Sequence, residues 1–110
     1  MIIGVTGHRN RTANPDEIRS ALDGATLVLH GGAAGFDQQV AAIANQLGIA
    51  TEAVQPDYTT HGRAATFVRN RQIVDRCHTL LACYDGRTTG GTYDTIRYAT
   101  RHNTPITYAR

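Results

Sequence analysis

Three stretches of the sequence carry residues suited to holding an anion. Gly7-His8-Arg9 and Gly31-Gly32-Ala33-Ala34-Gly35-Phe36-Asp37 each follow an apolar run, and Gly90-Gly91-Thr92 ends a polar turn. Glycines in such turns let backbone N–H groups approach a ligand closely, and a helix that begins behind them adds partial positive charge. A guanidinium such as that of Arg9 has the shape to bind phosphate. These residue types indicate a phosphate or nucleotide site.

Each of these residues also has a purely structural interpretation. Tight turns need positive φ, so either glycine-rich turn can be structural. Asp37 can complement a helix dipole instead of contacting a ligand hydroxyl, and Arg9 can be a solvated loop charge. His8 can donate a hydrogen bond to a ligand or only cap its turn. Two glycine-rich turns in one small domain favour a ligand crevice.

A polar pair lies on the third predicted helix, which runs from about Arg63 to Arg76 and carries Phe67, Asn70 and Val74 on one face. An asparagine at core spacing costs stability unless its amide is hydrogen-bonded. We therefore expect Asn70, with Arg69, to line the ligand crevice. The alternative is that Asn70 ties down a buried backbone group.

Composition excludes several chemistries. The 110 residues allow one domain over 1–110, and its 11 basic residues are all arginine. A Walker lysine and a Schiff-base lysine are thereby excluded, and the lone serine, Ser20, lies in no Gly-x-Ser-x-Gly turn. A net charge of +2 disfavours nucleic acid as a partner.

Metal, cofactor and membrane are not expected either. The histidines show no metal-site spacing, and no run approaches the roughly 20 apolar residues of a membrane span. With no basic leader at the start, we expect a cytoplasmic protein. Cys77 and Cys83 are separated by roughly 20 Å of predicted strand, so we expect two buried free thiols.

Apolar runs and amphipathic segments alternate along the chain. They predict an α/β, Rossmann-like three-layer sandwich with about five parallel strands in the order 3-2-1-4-5 and helices on both faces. Asn14, Pro15 and Glu17 predict a capped start for the first helix, with a capping box. Residues Pro56–Gly62 are predicted to form a loop long enough to act as a lid.

Four ordered motifs resemble the SLOG superfamily over nearly the whole chain, with the YpsA-like branch as the most similar. The superfamily also includes DprA and the LOG phosphoribohydrolases. The motifs are Thr6-Gly7-His8-Arg9, Gly31 to Asp37, Arg69-Asn70 with Ile73-Val74, and Leu80 to Gly86 leading to Gly90-Gly91-Thr92. The resemblance implies a Rossmann-like domain that binds a nucleotide or a nucleotide-derived ligand.

The predicted ligand-binding residues all lie within these motifs. These are Gly7, His8, Arg9, Gly32, Gly35, Asp37, Arg69, Asn70, Asp85, Gly90, Gly91 and Thr92.

The resemblance breaks down at one position. In LOG enzymes a glutamate of the last motif serves N-glycosidic cleavage together with an arginine, and Thr95 stands in its place here. A hydroxyl cannot stabilise the positive charge that develops on the ribose as a carboxylate can. Asp94 is adjacent, but one residue along a helix is a turn of about 100°, so we expect it to point elsewhere.

The sequence therefore favours binding, in which the ligand is sensed, sequestered or carried. The alternative is a LOG-like N-glycosidic hydrolase or transferase that uses Asp37, Asp85 or Asp94 with Arg69. A DprA-like single-stranded DNA binder is disfavoured by the balanced charge. We also expect a homo-oligomer, a dimer or higher, in which the Pro56–Gly62 loop closes over a neighbour's site and Tyr58 stacks on a base.

Overall fold

The computed structural model describes all 110 residues. Its strands are β1 (Ile2–Gly7), β2 (Leu27–His30), β3 (Ala50–Ala53), β4 (Thr79–Cys83) and β5 (Ile106–Tyr108). Its helices are α1 (Pro15–Ala21), α2 (Phe36–Gln46), α3 (Tyr58–His61), α4 (Ala65–Arg76) and α5 (Gly91–Arg101), with a 3₁₀ turn at Gly62–Ala64. None of the helices combines the length and apolar character needed to cross a bilayer.

The five strands form one parallel sheet in the order β3-β2-β1-β4-β5, which confirms the predicted fold class and strand order. Strand β1 is central and pairs with β2 on one side and β4 on the other. In a sheet of this topology, ligands bind where the strand order reverses, at the carboxyl ends of the strands. Here that point lies between β1 and β4.

Helices cover both faces of the sheet. On one face, Val5, Val28 and Leu81 pack with apolar residues of α1 and α2, among them Ile18 and Phe36. On the other face, Leu29 packs with Ile73 of α4, and Leu80 packs with Val74 of α4 and Ala99 of α5. Because side chains alternate along a strand, neighbouring residues such as Leu80 and Leu81 reach opposite layers. The result is the expected three-layer sandwich.

The first helix begins as predicted but without a capping box. Asn14 Oδ1 accepts a hydrogen bond from the N–H of Asp16 at 2.8 Å, and Pro15 is the first helical residue. The backbone N–H of Asn14, which Glu17 was expected to bind, donates instead to the carbonyl oxygen of Arg110 at 2.9 Å. The predicted capping box is therefore wrong, because the C-terminal residue takes the donor.

The predicted Pro56–Gly62 loop is largely helical. Asp57 Oδ1 accepts from the N–H of Thr60 at 3.1 Å and caps α3 (Tyr58–His61), which leads through the 3₁₀ turn into α4. The expectation of an irregular loop was wrong because Asp57 is a side-chain cap, a signal that the sequence contained. Of the two cysteines, Cys83 is buried as expected and Cys77 only half-buried, and both are free.

Helix α4 presents a different face to the sheet than the sequence suggested. Its buried residues are Ala65, Ile73 and Val74, and Arg69 lies between the first two at a spacing of four residues. Phe67 is 41% exposed, so its predicted place on a buried apolar face was wrong. Between Ala65 and Ile73, the side chain on this face of the helix is therefore the guanidinium of Arg69.

Candidate functional site

A crevice of about 460 Å³ opens at the carboxyl ends of β1 and β4. All but three of the predicted ligand-binding residues line it, drawn from the loops after β1, β2 and β4 and from helix α4. These are Gly7, His8, Arg9, Asp37, Arg69, Asn70, Gly90, Gly91 and Thr92. The three that do not are Gly32, Gly35 and Asp85. The fold thus brings four separate motifs together at one place, and ligand contact by these residues stays a prediction.

Asp37 anchors the glycine turn that follows β2. Its Oδ2 accepts from the backbone N–H groups of Gly31 at 3.0 Å and Ala33 at 3.4 Å, and the residue is only 6% exposed. Burial raises the pKa of this carboxyl, and the two N–H bonds oppose that rise. Oδ1 makes no hydrogen bond within the protein and is not fully enclosed, so it is free to meet a ligand at the crevice wall.

Arg69 ties helix α4 to the same turn. Its Nη1 donates to the carbonyl oxygens of Gly31 at 3.0 Å and Val54 at 3.2 Å, and its Nε donates to Asn70 Oδ1 at 2.8 Å. These bonds satisfy much of the hydrogen-bonding capacity of a half-buried guanidinium, whose pKa is lowered by burial. They also give Asn70 the partner that its position on the helix requires.

The amide of Asn70 faces the start of α5. A Cβ built on Gly91 would lie 3.7 Å from Asn70 Nδ2, so the side-chain amide of Asn70 lies close to the backbone of Gly91. Gly90 has a φ of +95°, and no side chain caps the helix behind it. The first N–H groups of α5 therefore have no intrahelical or side-chain partner, and they lie at the crevice together with the half of the dipole that attracts anions.

His8, Asp85 and Arg87 form a cluster at the rim. Asp85 accepts from Arg87 Nε at 2.9 Å and also binds Arg87 Nη2, while His8 Nε2 lies 3.2 Å from Asp85 Oδ1. Hydrogen bonds from Arg87 hold the pKa of Asp85 well below its usual range, and burial lowers the pKa of His8. The side chains of His8 and Arg87 line the crevice, whereas Asp85 orients them from behind.

Two predicted glycines have packing roles instead of a place at the crevice. A Cβ on Gly35, whose φ is +76°, would lie 2.4 Å from the carbonyl oxygen of Arg9, so this glycine lets the loops after β1 and β2 touch. Gly32 donates its N–H to His30 Nδ1 at 2.9 Å. Neither lines the crevice, although both shape the loop that does.

The catalytic candidates are separated by the structure. Asp94 points away as expected: it lies outside the crevice, with Oδ1 3.9 Å from Arg71 Nη2. Thr95, at 2% exposure, donates its hydroxyl to the carbonyl oxygen of Gly91 at 2.7 Å. With Asp85 held behind Arg87, the remaining candidates at the crevice are Asp37 and Arg69.

Some crevice residues escaped the sequence analysis. Arg87 lies in the second glycine-rich turn, and Thr66 and Phe67 lie one helical turn before Asn70. The spacing of Thr66 and Asn70 by four residues was a usable signal, since it places both on one helix face. Arg9, Arg69 and Arg87 surround the crevice with a single lining carboxylate, Asp37, so its electrostatics favour an anion.

Comparison with known proteins supports the fold. No family model matches the sequence, and no curated protein matches it. The solved structure of the structural genomics target TM1055 superposes with a TM-score of 0.68 at 15% identity, over 96% of this chain and 71% of that one. DNA processing protein A (DprA) from Streptococcus pneumoniae superposes with a TM-score of 0.70 at 17% identity, over 96% of this chain and 49% of that one.

The chain thus spans about half the length of the DprA chain. At these identities the likeness concerns the fold alone, which is Rossmann-like. Membership of the SLOG superfamily, and of its YpsA-like branch, stays a prediction.

Proposed function

We propose that this protein binds a nucleotide or nucleotide-ribose ligand in the crevice between β1 and β4, and senses, sequesters or carries it. The observation that carries the proposal is the uncapped start of α5 at Gly90-Gly91, which opens into a crevice lined by Arg9, Arg69 and Arg87. Free backbone N–H groups and guanidinium groups around one cavity are a common arrangement for binding phosphate.

The two glycine turns have different tasks in this proposal. The Gly90-Gly91-Thr92 turn holds the phosphate, because it contributes unpaired N–H groups at a helix start. The turn after β2 contributes Asp37, whose free Oδ1 accepts a hydrogen bond from a hydroxyl of the ribose.

Binding without turnover is favoured by the surroundings of Thr95. Its hydroxyl is already bonded to Gly91, and the nearest carboxylate in sequence, Asp94, lies outside the crevice. No carboxylate therefore occupies the position from which LOG enzymes are expected to act.

Calorimetric titration with AMP tests the proposal. We expect saturable binding that Arg9→Ala weakens about tenfold, since a charged hydrogen bond contributes about 1.5–3 kcal/mol. Arg19→Ala is the matched control, because Arg19 lies on α1 and pairs with Asp16 outside the crevice. Absence of AMP binding, or equal losses in both variants, would contradict the proposal.

A second candidate, an N-glycosidic hydrolase, is favoured by one observation. Asp37 is a buried carboxyl with a raised pKa and one free oxygen at the crevice, a combination found in general acids and bases. Incubation with AMP and NAD, followed by chromatography for free base, distinguishes the two candidates. Release of base that Asp37→Asn abolishes would establish the enzyme, since the asparagine keeps an acceptor for the glycine turn.

Self-association is also part of the proposal. Tyr58, at 61% exposed, stands beside the crevice-lining helix without lining the crevice itself, so it is free to meet a neighbouring copy. Sedimentation velocity at micromolar concentration tests this expectation: a monomer with full AMP affinity would contradict it. Steeply salt-dependent binding of single-stranded DNA would instead favour the nucleic-acid alternative.

A further inference from the structure

On one turn of α4, an apolar side chain is more exposed to solvent than a charged one. Phe67 is 41% exposed, while the guanidinium of Arg69, two residues later, is half-buried and bonded to two backbone carbonyls. Phenylalanine is among the residues most often fully buried, and arginine is mostly exposed. Because Arg69 takes the sheet-facing position, the ring of Phe67 is left at the crevice.

Phe67 is also chemically out of place there. Only three of the crevice-lining residues are apolar, Val5, Ala33 and Phe67, and Phe67 is the one with an aromatic hydrocarbon ring. Its neighbours on the same helix face are polar, namely Thr66 and Asn70. Covering an exposed ring in such a crevice with a flat apolar surface is favourable, because it removes the ring from water.

We propose that Phe67 is the specificity-determining residue that stacks on the planar base of the ligand. This inference depends on the proposed function, because it assumes an anionic ligand at the start of α5. Asn70 faces Gly91 across the crevice, and Phe67 precedes Asn70 by three residues, or about 4.5 Å along the helix. The ring and the phosphate turn therefore line the same crevice. The site selects base-bearing phosphates over sugar phosphates.

The binding of two probes, AMP and ribose 5-phosphate, separates the base from the phosphate. Phe67→Leu keeps an apolar side chain and removes the ring, and Phe67→Trp restores a ring. We expect Phe67→Leu to weaken the binding of AMP on the order of tenfold, since stacking on a base contributes ~1–3 kcal/mol. The same substitution should leave the binding of ribose 5-phosphate unchanged. Phe67→Trp should retain wild-type AMP affinity. Tyr108→Leu, which removes an exposed aromatic ring that does not line the crevice, should change neither.

Four results would overturn the inference. If AMP and ribose 5-phosphate bind the wild type with equal affinity, the protein does not recognise the base, although the proposal that it binds phosphate stands. If Phe67→Leu leaves AMP affinity intact, Phe67 is not the platform. If Phe67→Leu alters sedimentation but not AMP affinity, the ring belongs to an interface between copies. If neither probe binds, the proposed function fails together with the inference.

Discussion

The guanidinium of Arg69 lies against the backbone of Gly31. Nη1 of Arg69 donates to the carbonyl oxygen of Gly31 at 3.0 Å, and a Cβ on Gly31 would come within 2.7 Å of Arg69 Cζ. A helix on one side of the sheet is thus joined to the turn that follows β2, and the same turn is held by Asp37 of α2 on the other side. The crevice wall depends on this contact.

Gly31→Ala should destabilise the protein by about 1–3 kcal/mol, the usual cost of overpacking. The new methyl group would displace Arg69 and break its bonds to Gly31 and Val54. Chemical denaturation of the variant, of Arg69→Ala and of the double variant measures the coupling. In the Arg69→Ala background the added methyl group should cost little. Additive losses would show that Gly31 is crowded by something other than Arg69.

Gly35→Ala should be more damaging than Gly48→Ala. Both glycines have a positive φ, +76° and +73°, so both variants incur roughly 1–2 kcal/mol from the left-handed backbone. A Cβ at Gly48 would meet nothing within 4 Å, whereas one at Gly35 would overlap the backbone oxygens of His8 and Arg9. We expect an additional loss of at least about 1–3 kcal/mol at Gly35, measured by denaturation. Equal losses would mean that the loops separate freely.

Gly91→Ala should spare the fold and weaken phosphate binding. The added Cβ would be in ordinary contact with Asn70, and alanine is the better helix former by about 0.5–1 kcal/mol. The methyl group nevertheless covers N–H groups that a phosphate must approach. We expect Gly91→Ala to weaken the binding of AMP more than that of adenosine, and Asp37→Ala to weaken the binding of both probes alike. Equal losses of the two probes in Gly91→Ala would contradict this division between the turns.

Acid should weaken the fold partly through His30. Its Nδ1 accepts from the N–H of Gly32, which requires the neutral ring, and burial lowers the pKa of His30; Asp37 opposes this shift and Arg69 adds to it. The unfolded chain therefore binds more protons than the native one below about pH 6.5, so the free energy of unfolding falls as the pH falls. His30→Asn keeps an acceptor and cannot titrate, so we expect a flatter pH profile from urea denaturation. An unchanged slope would assign the effect to other groups, His8 first.

Most of the framework was predictable because it depends on local signals. The alternation of apolar runs with amphipathic segments identified five strands and the main helices, and Asn14 marked a real helix start. Asp57 also carried a local signal, because its side chain caps a helix start within the predicted loop Pro56–Gly62. The orientation of α4 was not predictable from spacing, since Phe67 and Ile73 are equally apolar and only the sheet beneath them distinguishes the two.

What the sequence by itself determined is the order of elements and the gathering of Gly7-His8-Arg9, Asp37 and Gly90-Gly91-Thr92 at one sheet edge, because parallel strands place all their following loops together. Tertiary structure alone decided what each residue touches. It placed Gly35 under the loop after β1, Asp85 behind Arg87, and Arg69 where an apolar residue was expected. The physical reason is that periodicity specifies a face only within its own helix, whereas contacts such as that of Arg69 with Gly31 join residues 38 positions apart.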